Sequence, residues 1–261
     1  MRKLPIILFL CVLGMARAED APNAPIEIVA GRGQPVLAVG AEASAADVLR
    51  ACRAMLPVRP VELKGALVLR SRKGIVTSEH DYRLVMRRTD EVSLLTVRLM
   101  PRGETNELAT VTISRRSGTK PVIRLAKNGA SEAEIVDSPL ASVQGTDVTW
   151  LDLSFDFLWW PNAAFEAERE GESIHGQKCV VVFVRPEVRV EGLSGVRLWV
   201  DKKTGCLMQA EQVDEAGKPI RRLWGTRVKK MDGKWMVSVL EVETLGSRHR
   251  TKITVEGMLE L

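Results

Sequence analysis

The sequence predicts an α+β protein that is mainly antiparallel β, built as a large curved sheet or open barrel with few helices. About ten or eleven segments are rich in β-branched residues and alternate in hydrophobicity, which is typical of strands with one wet and one apolar face. Short turn signals separate these segments, so sequential strands are expected to pair as antiparallel neighbours. Clear helical periodicity occurs in one segment near the N-terminus.

The first 18 residues read as a secretory signal peptide. Arg2 and Lys3 form a short positive region, residues 4–13 are apolar, and Ala16 and Ala18 provide a small-x-small cleavage site. The apolar run is too short to cross a bilayer, which takes about 20 residues. We therefore expect cleavage after Ala18 and a mature protein that works outside the cytoplasm.

Residues 19–43 are rich in Ala, Pro and Gly and are predicted to form a flexible leader with one short strand at 26–29. A helix follows, because Ser44 and Asp47 have the spacing of a capping box. Pro57 ends this helix. Its apolar face comprises Ala45, Val48, Leu49, Cys52, Met55 and Leu56. Residues 44–261 are predicted to form one domain.

Two blocks of strands make up most of that domain. The predicted strands are residues 63–69, 75–88, 92–100, 108–115 and 122–125, and then 178–185, 195–201, 206–213, 218–229, 234–244 and 249–259. In segment 75–88 the residues Tyr82, Leu84 and Met86 share the apolar face. Asp232-Gly233 is a strong signal for a hairpin turn, since a type I′ turn requires positive φ angles.

An aromatic insertion at residues 130–175 separates the two blocks. Residues 151–159 alternate between apolar and polar side chains, as a strand does, but Thr149, Asp152 and Asp156 also form one polar helical stripe. The pattern leaves strand and helix as equal alternatives. The aromatic side chains have two interpretations: they fill the core, or they line a site for an apolar ligand.

Charge is distributed unevenly along the chain. Residues 83–127 hold ten Lys/Arg and four Asp/Glu, whereas residues 128–175 hold one Arg and ten Asp/Glu. These blocks are either solvated faces or docking surfaces for partners. The mature chain is nearly neutral once the basic leader is removed, so no nucleic-acid partner is predicted.

No catalytic, cofactor or metal-binding motif is present. The three histidines have no ligand neighbour at helical spacing, and no phosphate-binding loop or nucleophile elbow occurs. On a helix Asp152 and Asp156 stand at i and i+4, a spacing that permits acid–base chemistry on a glycan; the alternative is a solvated acidic face. Export permits a disulfide bond, and Cys179 with Cys206 is the predicted pair, with Cys52 buried as a thiol; the alternative is that Cys179 and Cys206 are unpaired core thiols.

The sequence resembles the LolA-like outer-membrane lipoprotein-sorting proteins. Residues 145–153, GTDVTWLDL, are similar to that family's Gly-[Ser/Thr]-Asp signature, which ends in aromatic-x-Asp-Leu. Residues 196–204, VRLWVDKKT, resemble its strand and turn, and residues 211–218 its next hairpin, with Val213 where an aromatic is usual. Residues 251–254 also fit. The resemblance covers residues 44–261.

This resemblance implies an unclosed β-barrel with helices as a lid over an apolar concavity, and it favours a helix at 149–160. It also implies a periplasmic, non-enzymatic carrier of lipid or lipoprotein acyl chains, working as a monomer with inner- and outer-membrane sorting components. Asp147, Trp150, Asp152 and Leu153 are the matched lid positions. The candidate ligand-binding residues are Trp150, Leu151, Leu153, Phe155, Phe157, Leu158 and Trp159. The alternatives are an envelope sensor or scaffold, and a glycan hydrolase that uses Asp152 and Asp156.

Overall fold

The computed structural model describes residues 43–57, 59–89, 92–116, 118–231 and 234–261. Within these ranges two α-helices occur, α1 (Ala45–Ala54) and α2 (Trp150–Ser154), with short 3-10 turns at Asp156–Trp159 and Ala167–Arg169. The strands are β1 (Val61–Ser71), β2 (Val76–Arg88), β3 (Val92–Pro101), β4 (Ala109–Arg116), β5 (Val122–Lys127), β6 (Glu134–Val136), β7 (Asn162–Phe165), β8 (Ser173–Ile174), β9 (Gln177–Arg185), β10 (Gly195–Asp201), β11 (Leu207–Val213), β12 (Pro219–Met231), β13 (Lys234–Thr244) and β14 (His249–Glu260).

The strands pair into one antiparallel sheet that curves but does not close. Its order in the described part of the chain is β6-β5-β4-β3-β2-β1-β14-β13-β12-β11-β10-β9-β7, with β8 paired to β9 alone. Most neighbours are consecutive in sequence, as short turns dictate. The long-range pairing of β1 with β14 joins the two blocks, with Leu67 opposite Ile253. The predicted fold class is therefore confirmed.

A bulge bends the sheet at the junction of its two halves. The register between β1 and β14 shifts between Lys64 and Gly65, and bulges of this kind increase the local twist and bend of a strand. A Cβ atom on Gly65 would lie 1.7 Å from the carbonyl oxygen of Thr254. Glycine is therefore required where β1 and β14 approach most closely.

The core lies on the concave face of the sheet, where alternate residues of each strand point inward. In β2 these are Tyr82, Leu84 and Met86, as the alternation predicts. Helix α1 packs into the same core through its apolar face. Its start is as predicted: Ser44 accepts a hydrogen bond from the backbone N–H of Asp47, and the Asp47 carboxylate accepts from the backbone of Ser44.

The predicted strand positions agree with the structure to within two residues at each end. The sequence missed β6, β7 and β8, which are short and carry little alternation. The signal peptide, the leader strand at 26–29 and the turn at Asp232-Gly233 lie outside the described residues. Among the described residues, no helix has both the length and the apolar character that a membrane crossing requires.

The predicted disulfide between Cys179 and Cys206 is wrong, because Cys179 is a buried free thiol. Cys179 lies opposite Asp201 of β10, and the backbone N–H of Asp201 donates to the carbonyl oxygen of Cys206 on its other side. Strand β10 therefore separates the two cysteines. At ordinary strand spacing their Cα atoms are roughly 9 to 10 Å apart, beyond the limit of about 7 Å for a disulfide.

Cys52 and Cys179 are expected to resist alkylation in the native protein. Burial raises the pKa of Cys52 to about 12 and that of Cys179 to about 11, and the thiolate is the reactive form. Iodoacetamide at about pH 8, followed by peptide mass spectrometry, should label both residues only after unfolding, with no reductant needed. Rapid labelling of the native protein would contradict this prediction.

Candidate functional site

The lid segment, residues 145–160, covers the concave face between the two strand blocks. Thr149 accepts a hydrogen bond from the backbone N–H of Asp152, and Asp152 in turn accepts from the backbone of Thr149. This capping box begins α2 at Trp150. Phe155, at φ 51°, ends the helix in the left-handed region, and the 3-10 turn follows. The lid segment is therefore helical, as the resemblance implied.

Asp147 fixes the start of the lid segment to strands β13 and β14. Its carboxylate is fully buried and accepts hydrogen bonds from the Thr251 hydroxyl (3.1 Å) and the backbone N–H of Thr244 (3.3 Å). Its Oδ2 also lies 2.9 Å from Nδ1 of His249. The backbone N–H of Asp147 donates to the Thr251 hydroxyl at 2.8 Å. This buried network holds one end of the lid segment in place.

The carboxylates of Asp152 and Asp156 both have structural partners. Asp152 accepts from the side chains of Thr149 and Gln212, each at 2.8 Å, and burial raises its pKa. Asp156 forms an ion pair with Arg115 (2.9 Å) and accepts from the Trp160 indole N–H (3.3 Å). Burial raises the pKa of Asp156 also, and Arg115 opposes the shift. These contacts give both carboxylates a structural role in the lid segment.

Two arginines of the sheet pack against the Trp159 ring of the lid segment. The guanidinium carbons of Arg88 and Arg115 each lie 4.8 Å from the ring centroid, a cation–π arrangement. Arg88 also donates from Nη2 to the carbonyl oxygen of Ser154 at 3.0 Å. Burial, and secondarily repulsion from Arg115, lowers the pKa of Arg88 to about 10. The two cations share Asp156 as their acidic partner.

Helix α1 supplies a further contact to the lid segment. The Arg53 guanidinium donates from Nη1 to the carbonyl oxygen of Leu158 at 2.6 Å. Backbone carbonyls at the end of a short helical turn otherwise lack partners. Arg53 and Arg88 therefore hold the second half of the lid segment through its backbone, and Asp147 holds the first half.

The structure brings all the predicted ligand-binding residues together on the lid segment. Trp150, Leu151, Leu153, Phe155, Phe157 and Leu158 are buried in the main core, and Trp159 is half-buried against it. A cleft of about 50 Å³ remains at the rim of the lid, between Trp159, the β4–β5 turn and residues 186–190. The aromatic side chains thus fill the concave face in this conformation.

The arginines that contact the lid segment were not predicted from the sequence, although the strand pattern contains a signal for two of them. Arg88 continues the apolar face of β2 after Met86, and Arg115 continues that of β4 after Ile113. An arginine that occupies an inward-facing position of a strand must lie at the edge of the core. Its buried charge there needs a hydrogen-bond or ion-pair partner. Arg53 carried no comparable signal, because its position on α1 is polar.

An unclosed antiparallel sheet whose concave face is covered by a helix and a lid segment is the architecture of LolA-like proteins, and this chain has that fold. A domain described as outer membrane lipoprotein-sorting, from Vibrio parahaemolyticus, superposes with a TM-score of 0.71 at 14% identity, covering 82% of this chain and 91% of its own. A DUF1329 family protein from Desulfovibrio piger gives 0.70 at 15%, covering 83% and 91%.

A LolA superfamily protein from Nitrosomonas europaea gives a TM-score of 0.62 at 15% identity, covering 83% of this chain and 93% of its own. A family model described as an uncharacterized protein matches residues 134–259, slightly less than half of the chain. No curated protein matches the sequence. The resemblance inferred from the motifs is therefore confirmed as a likeness in fold.

Proposed function

We propose that this protein is a periplasmic, non-enzymatic carrier that binds the acyl chains of lipids or lipoproteins beneath the lid segment. One observation carries the proposal. The apolar lid segment lies on the concave face of the sheet, and a small set of polar contacts holds it there, from Asp147, Arg53 and Arg88. The predicted signal peptide and the likeness in fold to a lipoprotein-sorting domain support the same conclusion.

Binding of an acyl chain requires the lid segment to move. A cavity that holds one water molecule measures about 10 to 15 Å³ on the same scale, so the cleft of about 50 Å³ has room for only a few methylene-sized groups and is too small for an acyl chain. Displacement of the lid segment would expose the apolar surface now covered by Leu151, Phe157 and Leu158. An acyl chain gains roughly 0.8 kcal/mol per buried CH₂ on such a surface, which can offset the lost lid contacts.

Replacing Arg88 by Ala is expected to accelerate the uptake of a fluorescent acyl probe by about ten-fold. The substitution removes the hydrogen bond to Ser154 and one of the two cation–π contacts to Trp159, and a hydrogen bond from a charged donor contributes about 1.5 to 3 kcal/mol. The open form should become correspondingly more populated. Stopped-flow fluorescence measures the uptake rate.

Arg87→Ala is the matched control, because Arg87 is the preceding residue of β2, is exposed and faces away from the lid. It should leave uptake unchanged. Equal rates in the wild type and in both variants would show that lid opening does not limit access.

A direct test is to purify the mature chain, residues 19–261, from an export host and to compare native with denaturing mass spectra. Lipid released on denaturation would support the carrier function and identify the cargo class. A protein that carries no lipid and takes up no acyl probe would contradict the carrier function. The envelope sensor or scaffold would then be the better account of the fold.

A further inference from the structure

The outer face of strands β1–β5, across the sheet from the lid segment, carries a concentration of cations. In a strand, alternate residues share a face, and those between the inward residues of β1–β5 point outward. The convex basic face comprises Lys64, Arg83, Arg87, Arg98, Arg116 and Arg124, all of which are exposed.

Three of these cations form a row across neighbouring strands. Lys64 of β1 lies directly opposite Arg83 of β2, and Arg83 lies opposite Arg98 of β3. Like charges directly opposite each other destabilise a sheet, so this row works against the stability of the fold. Residues retained at the expense of stability are expected at sites of function.

Carboxylates also lie on the outer face of these strands, but few of them pair with the six cations; Glu79 and Asp81, for example, pair with Arg102 instead. Arg98 lies 3.5 Å from Glu107, with both side chains partly exposed. Among the described residues, Arg83, Arg87 and Arg124 form no ion pair. Their charges therefore face solvent and create a positive potential over the surface.

Apolar side chains lie among the cations on the same face. Val85 and Leu94 line a groove of about 280 Å³ together with three arginines and one acid: Arg83, Arg87, Arg98 and Glu62. At the sheet edge, Val122 and Ile135 are 36% and 65% exposed. The combination of guanidinium groups with exposed aliphatic side chains differs from an ordinary solvated strand face, which is uniformly polar.

We infer that the convex basic face docks on a bilayer surface that contains anionic phospholipid. Guanidinium groups pair with phosphate oxygens of the head groups, while the aliphatic side chains reach the boundary between head groups and acyl chains. The cations extend over five strands and thus match a two-dimensional array of charge rather than one extended acidic peptide. This inference is independent of the proposed carrier function, because the lid segment lies on the other face of the sheet.

The test is co-sedimentation of the mature chain with vesicles of phosphatidylcholine, with or without a quarter of phosphatidylglycerol. Binding is expected to the anionic vesicles only and should weaken as salt rises from about 0.05 to about 0.5 M. The double variant Arg83→Gln and Arg124→Gln should bind about 25-fold more weakly, since each cation contributes about five-fold. Its melting temperature should equal or exceed that of the wild type, because it relieves the cation row.

The matched control removes two exposed lysines from hairpin turns in the other half of the sheet, as Lys203→Gln and Lys218→Gln. This variant should bind within about two-fold of the wild type. Equal binding to both vesicle types, or equal losses in the two double variants, would overturn the inference. So would capture of poly-glutamate without vesicle binding, which would indicate an acidic protein partner instead.

Discussion

Replacing Phe157 by Ala is expected to reduce the free energy of unfolding by about 3 to 5 kcal/mol, the usual cost of truncating a buried phenylalanine. The Phe157 side chain is 1% exposed. Its ring contacts that of Phe155 edge to face, with centroids 5.8 Å apart. Truncation leaves a cavity between the lid segment and the sheet. Urea denaturation, monitored by tryptophan fluorescence, measures the effect.

Phe165→Ala is the matched control for this prediction. Phe165 lies on edge strand β7 and is 44% exposed, so the same truncation there should cost less than about 1 kcal/mol. Equal costs at the two positions would show that the lid segment is not packed on the concave face in solution. The concavity would then be open without displacement of the lid.

Replacing Arg197 by Ala is expected to reduce the free energy of unfolding by about 2 to 4 kcal/mol, because it removes charge-assisted hydrogen bonds to two largely buried carboxylates. The Arg197 guanidinium forms a bidentate pair with Glu166 and lies 3.4 Å from Glu211. The hydrogen bonds that Arg197 donates to Glu166 raise the pKa of Arg197. Glu211 keeps Arg222 as a partner at 2.7 Å and Glu166 keeps Arg169 at 3.4 Å. The loss therefore comes from the hydrogen bonds that Arg197 itself donates.

The same substitution should detach residues 162–174, which cover the outer face of β10. Besides the Arg197–Glu166 pair, this segment is held there by the Trp199 indole N–H, which donates to Glu172 at 2.7 Å. Limited proteolysis should therefore cut residues 166–172 faster in Arg197→Ala than in the wild type.

The control is Arg189→Ala, which removes an exposed ion pair to Glu215 and should change neither stability nor cleavage. An Arg197→Ala variant that behaves like this control would show that the covering segment is held by its backbone pairing alone.

Local features account for what the sequence predicted correctly. Strand alternation, the capping box of Ser44 and Asp47, and glycines at turns such as Gly205 and Gly217 act within a few residues of each other. The class of sheet and the position of α1 follow from such short-range patterns. The lid segment was different: its alternation suits a strand and a helix equally, and only the resemblance to a known family favoured the helix.

Contacts between residues far apart in the sequence determined the features that the sequence did not predict, because no local pattern relates such residues. The pairing of β1 with β14 unites the two strand blocks, and the position of β10 between Cys179 and Cys206 rules out their disulfide. The short strands β6 to β8 depend on neighbours already in place. The hydrogen bonds that Arg53 and Arg88 donate to backbone carbonyls of the lid segment likewise form only in the folded sheet. The sequence thus specified the strands, α1 and the aromatic content of the site. Tertiary packing determined that the aromatic side chains fill the concave face. It also determined which side chains hold them there.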